Sequence, residues 1–360
     1  MISINFWLER PPFAIVGFLK PLKQELGESL HIYIRDDSVS NRKGLDENSL
    51  SELKCVYVHK DLSDLPEDPN VVNGINIVNG FNSFVLSFLK NKRKTNPSLK
   101  LGCYTEMPSA MGSFKWLKKL LLKYKYRKII KSNIGDFDFL LPIGEMANEY
   151  FKKIGWNKLT YPFVYIPDLK IGSQSHRTID FDNGAFCYIG RNDFSNKGLN
   201  KAIRFFKKHP QLKFIIVGDY GNNSEAVSRI AGQHNNIMKT PSIPPCSVLE
   251  YIEDNNIQCI LVPSNTDGWN PNVYLALASG TPCIASLNSG SSDLIEKYKY
   301  GFVCSSTYGS LKKSILQFQR MSNDQKKELS LNASSGFVSF NPKQISLDLI
   351  DFLSKHFNNL

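Results

Sequence analysis

Three side chains in the second half of this 360-residue sequence have the type and spacing to handle a bound anion: Arg191, Lys197 and Asp267. The two cations lie in Tyr188-Ile-Gly-Arg-Asn-Asp-Phe-Ser-Asn-Lys-Gly-Leu199, where an apolar run ends at Gly190 and a helical pattern begins near Gly198. That puts them on a loop at the carboxyl end of a strand, the edge at which open α/β sheets bind ligands. Taken alone, the pair is more simply explained as solvated surface charge. Asp267 sits in the most regular stretch of the chain, Pro263 to Ser286. Ile260-Leu261-Val262 enters as a strand, Asp267-Gly268-Trp269-Asn270 forms a tight polar loop, and Cys283-Ile284-Ala285 leaves as a second strand. Asn270 is a good helix N-cap and Pro271 a good first helical residue, because proline has no N–H to leave unpaired. Gly280 suits the left-handed residue past a helix end, and Pro282 prevents continuation. This βαβ unit lets a ligand approach the backbone at Gly268, and the N–H groups of the helix's first turn are expected to point at an anion.

Here the sequence resembles the GT-B-fold retaining glycosyltransferases of the family-4 type, including those of bacterial surface-polysaccharide synthesis. Pro263, Ser264, Gly268, Ala276, Ala278, Gly280, Pro282 and Ile284 match that family's signature in register. Asp267 stands where the family has the first of two paired glutamates and Leu275 where it has the second. The resemblance implies that Asp267 contacts the donor sugar with a carboxylate one methylene shorter, and that the ribose meets no acid at Leu275. It also implies that Arg191 and Lys197, matching the family's Gly-Arg and Lys-Gly, sit on the donor's diphosphate. Fixed cations there stabilise the charge left on the phosphate without a metal. The implied donor site is Gly190, Arg191, Lys197, Asp267, Gly268, Trp269, Asn270, Asn272 and Val273, with Arg191, Lys197 and Asp267 catalytic. Asp293, in Asn288-Ser-Gly-Ser-Ser-Asp-Leu-Ile, replaces a further family Glu; an acid complementing the dipole of a helix's first turn explains it equally well.

The elements around these residues alternate between short apolar runs and helical patterns, which predicts α/β architecture with parallel sheets. Residues 1–168 read as a first Rossmann-like domain, with strands at 2–8, 31–35, 55–59, 75–78, 99–105 and 138–141. Its helices are predicted over 13–26, bent at Pro21, and at about 83–93, 114–132 and 146–154. Residues 169–184 read as a polar linker. A second alternation, with strands at 185–189, 214–218, 260–262, 283–285 and 301–304, completes a nucleotide-sugar-binding domain over 169–340. Residues 342–357 form an amphipathic helix that, by the resemblance, crosses back to the first domain. The fold predicted is thus two Rossmann-like domains facing a cleft, with the acceptor on the first.

The first domain carries fewer signals. Arg10-Pro11-Pro12-Phe13 stands where many family members have a Gly-Gly pair, and none of the six histidines lies in a motif. Glu106, after the 99–105 strand, is placed either to bind an acceptor hydroxyl or as a surface-loop acid. The stretch from Phe114 to Lys131 holds eight basic residues and no acid. Trp116, Leu117, Leu120, Leu121 and Tyr124 make one apolar face, expected to dock on the domain. Leu122, Tyr126 and Ile129 form a thinner stripe among the lysines. Lys118, Lys119, Lys123, Lys125, Tyr126 and Arg127 are then expected to meet an anionic membrane; a solvated basic helix is the alternative.

A net charge of +11 calls for an anionic partner, and charge alone does not choose among nucleotide, phospholipid, lipid-linked pyrophosphate and nucleic acid. No zinc-finger or RNA-recognition pattern supports nucleic acid. Absence of G-x-G-x-x-G and of a P-loop argues against an NAD enzyme or NTPase. Asp136-Phe-Asp138 and Asp180-Phe-Asp182 have a metal-binding D-x-D form, but one opens a strand and the other lies in the linker, so neither a metal nor a cofactor is expected. Seven scattered cysteines suit a reducing cytoplasm. No run reaches the roughly 20 apolar residues of a membrane span, so the chain is expected in the cytoplasm, peripheral on the inner membrane face. Together the resemblance implies a metal-independent hexosyltransferase moving sugar from a nucleotide-sugar to a glycan or lipid-linked acceptor. A non-catalytic binding subunit of the same fold and a nucleotide-sugar epimerase are the other readings.

Overall fold

The computed structural model describes residues 2–9, 14–35, 52–58, 62, 74–108, 115–171 and 177–357. Of the expected features, Arg10 to Phe13, His59, linker residues 172–176 and the side chains of Lys115, Trp116, Lys118 and Lys119 lie outside this set. The chain divides into two compact units, one of Met1–Pro108, Lys119–Asp168 and Pro342–Leu360, the other of Ser109–Lys118 and Leu169–Asn341.

The first unit holds a seven-stranded parallel sheet. Its strands are β1 (Ile4–Leu8), β2 (Leu30–Arg35), β3 (Val56–Val58), β4 (Ile75–Asn79), β5 (Lys100–Thr105), β6 (Phe139–Pro142) and β7 (Leu159–Thr160), in the order β3-β2-β1-β4-β5-β6-β7. The middle strands are apolar on both faces because helices cover both faces of a parallel sheet. Every residue of β1 is buried, and so is Asn5 on it. The indole of Trp7 stacks on Tyr33 at 4.2 Å and donates to Asn76 Oδ1 at 2.9 Å, so its polar edge is satisfied inside the core.

Helix α1 (Val16–Leu26) contains Pro21 and lies against the chain that leaves the sheet, with the Gly17 amide donating to Ile166 O at 3.1 Å. A Cβ on Gly17 would lie 2.2 Å from the Pro167 carbonyl oxygen, so only glycine permits that approach. Helix α2 (Leu86–Thr95) carries Arg93, which pairs with Asp138 at 2.7 Å, while Lys90 pairs with Asp136 at 2.6 Å. Both acids of the first D-x-D tripeptide thus hold a helix to the sheet. Helix α3 (Lys115–Asn133) leads into β6, and α4 (Glu145–Lys153) follows it.

The orientation of α3 reverses the expectation. Leu117, Leu120, Leu121 and Tyr124 are exposed, and it is Tyr126 and Ile129, with buried Ile130, that pack on the core. Tyr126 therefore points inward beside Phe151 and not toward an outside surface. The C-terminal half of the helix decides this: there the outer positions are Arg127, Lys128 and Lys131, so only the Tyr126–Ile129–Ile130 side has apolar surface to bury.

The second unit repeats the plan with six parallel strands: β8 (Ala185–Ile189), β9 (Phe214–Val217), β10 (Ile237–Thr240), β11 (Ile257–Val262), β12 (Cys283–Ser286) and β13 (Gly301–Cys304), ordered β10-β9-β8-β11-β12-β13. Its helices are α5 (Leu199–Phe206), α6 (Ser224–Gln233), α7 (Val248–Asp254), α8 (Pro271–Ala278), α9 (Asp293–Tyr298), α10 (Tyr308–Arg320) and α11 (Asn323–Ser339). Phe186, Phe205, Phe206, Phe214 and Phe318 fill one face of the sheet. The supposed linker belongs to this core from residue 177 onward. Ile179 and Phe181 are buried, and Arg177 donates to Thr281 Oγ1 at 2.7 Å and to the carbonyls of Ile252 and Ile257. Burial lowers the Arg177 pKa to about 10. Asp180, in the second D-x-D tripeptide, accepts from the amides of Asp182 and Asn183 and so closes a turn.

Helix α12 (Pro342–Phe357) is part of the first unit and packs on α1. Ser346 Oγ donates to Phe18 O at 3.1 Å, and Leu349 and Leu353 are fully buried. Phe352 and Phe357 sit 6.2 and 5.4 Å from the ring of Phe139. The end of that ring occupies the space above the neighbouring strand, and a Cβ on Gly102 would come within 2.1 Å of its tip. Gly102→Ala is therefore expected to lift Phe139 and loosen α12, costing about 1–3 kcal/mol in urea unfolding. Wild-type stability would show that the ring has room to slide.

Candidate active site

The strand order of the second sheet reverses direction between β8 and β11, and at such a switch point the loops beyond the carboxyl ends part to leave a binding crevice. The loop after β8 carries Arg191 and Lys197; the loop after β11 carries Asp267. Chain geometry holds the two loops together. Gly198 adopts φ +67°, and a Cβ there would lie 2.1 Å from Pro263 O, so the loops pass at backbone contact. The amide of Asn265 donates to Asn196 O at 2.7 Å, its side chain reaches Ser195 O at 2.6 Å, and Lys201 Nζ binds Asn265 Oδ1 at 2.7 Å. Within the first loop, Asp193 accepts from the amides of Ser195 and Asn196 and from both their side chains. Burial raises the Asp193 pKa, but these donors outweigh it and leave the carboxyl below its ordinary value.

Lys197 Nζ lies 2.6 Å from Asp267 Oδ2, joining the two predicted catalytic residues across the loops. The same oxygen accepts from Asn270 Nδ2 at 2.8 Å and Ser264 Oγ at 3.3 Å. Asp267 is fixed through its backbone as well, its amide donating to Asn288 O and its carbonyl accepting from Gly290. Among the described residues nothing donates to Oδ1, so one oxygen is engaged and the other remains for a ligand hydroxyl. Arg191 is exposed, and among the described residues its guanidinium has no partner. The arrangement offers a free cation, a second cation on an anchored acid, and an available carboxylate oxygen.

Other predicted site residues are placed differently. Trp269, Asn270 and Val273 are buried and form the inner support of the loop; Asn272 is half-buried and donates to Ile189 O at 2.6 Å. A Cβ on Gly190 would meet only Tyr188 OH and Asn272 Nδ2, at 3.8 and 4.0 Å, so its lack of side chain keeps the strand end open. The first-turn N–H groups of α8 are not directed at an anion as the sequence suggested. Asn270 Oδ1 takes the Asn272 amide at 2.9 Å and Asn270 O takes that of Val273 at 3.3 Å. A good cap satisfies the very donors an anion needs. Leu275 is 4% exposed, a position where a carboxylate would lie buried.

In the first unit Glu106 follows β5 and hydrogen-bonds Tyr165, whose hydroxyl is pushed well above its usual pKa by burial and then by that carboxylate. Sequence reasoning passed over its neighbours on the same sheet edge. Glu9, beyond β1, accepts from Arg35 Nη1 at 3.0 Å and from the Phe84 amide at 2.8 Å, and Asn79 ends β4 bonded to Tyr104. Each is the first polar residue after an apolar strand run, and that was the available signal.

Asn270 serves both the helix and the acid, and the two roles separate by substitution. Asn270→Ala should cost about 1 kcal/mol through loss of the cap, whereas Asn270→Ser keeps an N-cap oxygen and should unfold near the wild-type midpoint. Equal losses in both variants, read by chemical denaturation, would show that the amide on Asp267 and not the cap carries the stability.

Residues 176–334 match the family described as Glycosyl transferases group 1. No curated protein matches the sequence significantly. Among solved structures, sucrose-phosphate synthase from Thermosynechococcus elongatus is similar at TM-score 0.72 and 13% identity, over 99% of this chain and 100% of that one. HepE from Anabaena in complex with UDP gives 0.68 at 14% identity, over 98% and 100%. The lipopolysaccharide outer core galactosyltransferase WaaB gives 0.66 at 15% identity, over 100% of both chains. The chain has the GT-B fold of two Rossmann-like units, and the match to the glycosyl transferases group 1 family lies within its second unit.

Proposed function

We propose that this protein transfers a sugar from a nucleotide-sugar to an acceptor hydroxyl with retention of anomeric configuration. The observation that carries the reading is the Lys197–Asp267 pair at the β8/β11 switch point, inside the segment that matches the glycosyl transferases group 1 family. Similar structures hold UDP and UDP-glucose, which makes uridine diphosphate sugars the first donors to try.

In this reading Arg191 and the remaining N–H bonds of Lys197 face the donor's diphosphate. The acceptor oxygen bonds to the anomeric carbon on the face from which the diphosphate leaves, the bond from that carbon to the phosphate oxygen breaks, and the acceptor proton passes to the departing diphosphate. The products are a glycoside and a nucleoside diphosphate, and no protein nucleophile is needed. Preorganised cations are effective because charge grows on the leaving group only as the bond breaks. Asp267 Oδ1 holds a sugar hydroxyl, with Lys197 on Oδ2 keeping the carboxylate oriented. With Arg191 and Lys197 on the diphosphate, charge on the leaving group is stabilised without a metal ion. Glu106 is assigned to an acceptor hydroxyl, the acceptor being a glycan or a lipid-linked sugar, and the setting is the cytoplasmic synthesis of a polysaccharide.

A non-catalytic binding role is the second reading, favoured by Leu275, which buries an apolar side chain where the resembling family has an acid. Calorimetry with a panel of nucleoside diphosphates separates the two. The transferase reading requires micromolar binding of one of them and its loss in Arg191→Ala; silence across the panel favours the binding role. Arg191→Ala and Lys197→Ala should each lower turnover roughly 100-fold or more. Asp267→Asn should abolish transfer while leaving nucleoside diphosphate affinity nearly unchanged, since its partner is the sugar. Wild-type rates in the two cation variants would sink the donor-site assignment.

With no acid at Leu275, ribose and 2′-deoxyribose forms of the nucleotide should bind within about threefold of each other, because an apolar site does not reject an analogue lacking a hydroxyl. A hundredfold weaker deoxy form would mean that another residue holds the ribose.

A further inference from the structure

The second unit carries a groove that shares no residue with the donor edge. It runs along α10 into the start of α11, has a volume of about 520 Å³, and is lined among others by Gly309, Lys312, Lys313, Leu316, Arg320 and Met321. Helix α10 contains no acid, and its three cations are exposed, with no partner among the described residues. Arg204 of α5 adds a fourth cation at the first turn, lying 4.3 Å over the ring of Tyr308. The following acid, Asp324, is 93% exposed and faces Lys327 at 3.7 Å. Leu316 and Met321 are half-buried against the core and give the groove an apolar floor. Gln325, on its wall, is held by the capping box with Ser322, and at the other end a Cβ on Gly309 would meet nothing within 4 Å. The groove is thus apolar at its base, cationic at its rim, fixed on one side and open at one end.

We propose that this groove docks an acidic segment of a partner protein, its carboxylates on Lys312, Lys313 and Arg320 and an apolar side chain against Leu316 and Met321. Charge complementarity selects the sign of the partner, and the floor selects its amphipathic character. Methionine and arginine are enriched at protein interfaces, and the flexible thioether adapts to whichever apolar side chain arrives. At a rise of about 1.5 Å per residue, Gly309 to Arg320 spans roughly 16 Å, the length of a short peptide segment and more than a compact metabolite needs. A flat bilayer does not enter a concave surface. A nucleic-acid backbone brings phosphates but no apolar anchor for the floor. A two-fold contact of this groove with its own copy would set cation against cation. Nothing in this inference depends on the transferase reading, since docking requires neither donor nor acceptor.

The test is fluorescence anisotropy of the full-length protein with a labelled synthetic peptide of glutamates carrying two leucines one helical turn apart, at about 100 mM salt, where the Debye length is ~10 Å. An all-glutamate peptide of the same length is the charge control. Wild type should bind the leucine peptide with a Kd below about 100 µM, and at least about tenfold more tightly than the control, because only the leucines gain from the floor. Lys313→Glu combined with Arg320→Glu should weaken that binding about tenfold or more, and should let the protein take the same peptide with lysine in place of glutamate. Gly309→Trp fills the open end without changing the charge, and should also weaken binding about tenfold. All three positions are exposed, so both variants should keep the wild-type melting temperature, and calorimetric scanning checks that. The inference is overturned if wild type shows no binding up to about 1 mM peptide. It is overturned too if both peptides bind alike, or if Gly309→Trp binds as wild type does, since either would leave only diffuse charge attraction. Displacement of the peptide by micromolar inorganic pyrophosphate would assign the groove to a small phosphorylated ligand instead.

Discussion

One carboxylate oxygen, Oδ2 of Asp267, is the junction on which the second unit's binding edge depends. It receives a lysine from the loop after β8, a serine from the end of β11, and the side-chain amide that also caps α8. Two loops belonging to different strands, and the helix between β11 and β12, therefore share a single point of reference. With the Lys197 and Asp267 side chains 21 and 11% exposed, such a charge-assisted cluster is stronger than its parts at a surface, and correspondingly sensitive to loss of any member. The consequence is an acid that does not need to search for its orientation when a ligand arrives.

The glycines around this junction act by permitting close approach. Gly198 passes under Pro263 and Gly290 presses on the Gly268 carbonyl, where an added Cβ would sit 2.1 and 1.7 Å from backbone oxygen. Backbone cannot retreat as a side chain can, so at these places the chain has no tolerance for a larger residue. The polar side chains then complete the fit: Asp193 accepts from two backbone amides, and Asn265 and Asn270 each join one backbone group to a charged side chain, which lets irregular loops stay ordered without a core of their own.

The first unit repeats the architecture with a different balance at its edge. Glu9 is paired with Arg35 and Glu106 with Tyr165, so its acids are held by neighbours within the same sheet edge. Free positive charge in that unit gathers on α3 instead. The separation is physically useful: cations beside an acidic edge would be neutralised by it, whereas on an outward helix they remain available to an external anion.

The sequence by itself determined the sheets and the helix that begins at Pro271. Runs such as Phe6–Leu8 and Ile260–Val262 are apolar throughout because a strand buried on both faces allows little else, and Asn270-Pro271 fixes a helix start through local chemistry alone. The short edge strands β7 and β10 were not legible, since an edge strand is half solvated: β10 reads Ile-Met-Lys-Thr with only its first residue buried. Residue types at Arg191, Lys197 and Asp267 were legible from spacing, but that Lys197 rests on Asp267 was not, because 70 residues of chain separate them. The first-turn amides of α8 and the faces of α3 went the other way from the local pattern for the same underlying reason. A cap and an anion compete for one set of N–H groups, and two apolar stripes compete for one core; periodicity shows the competitors, while only the packed chain decides which of them wins.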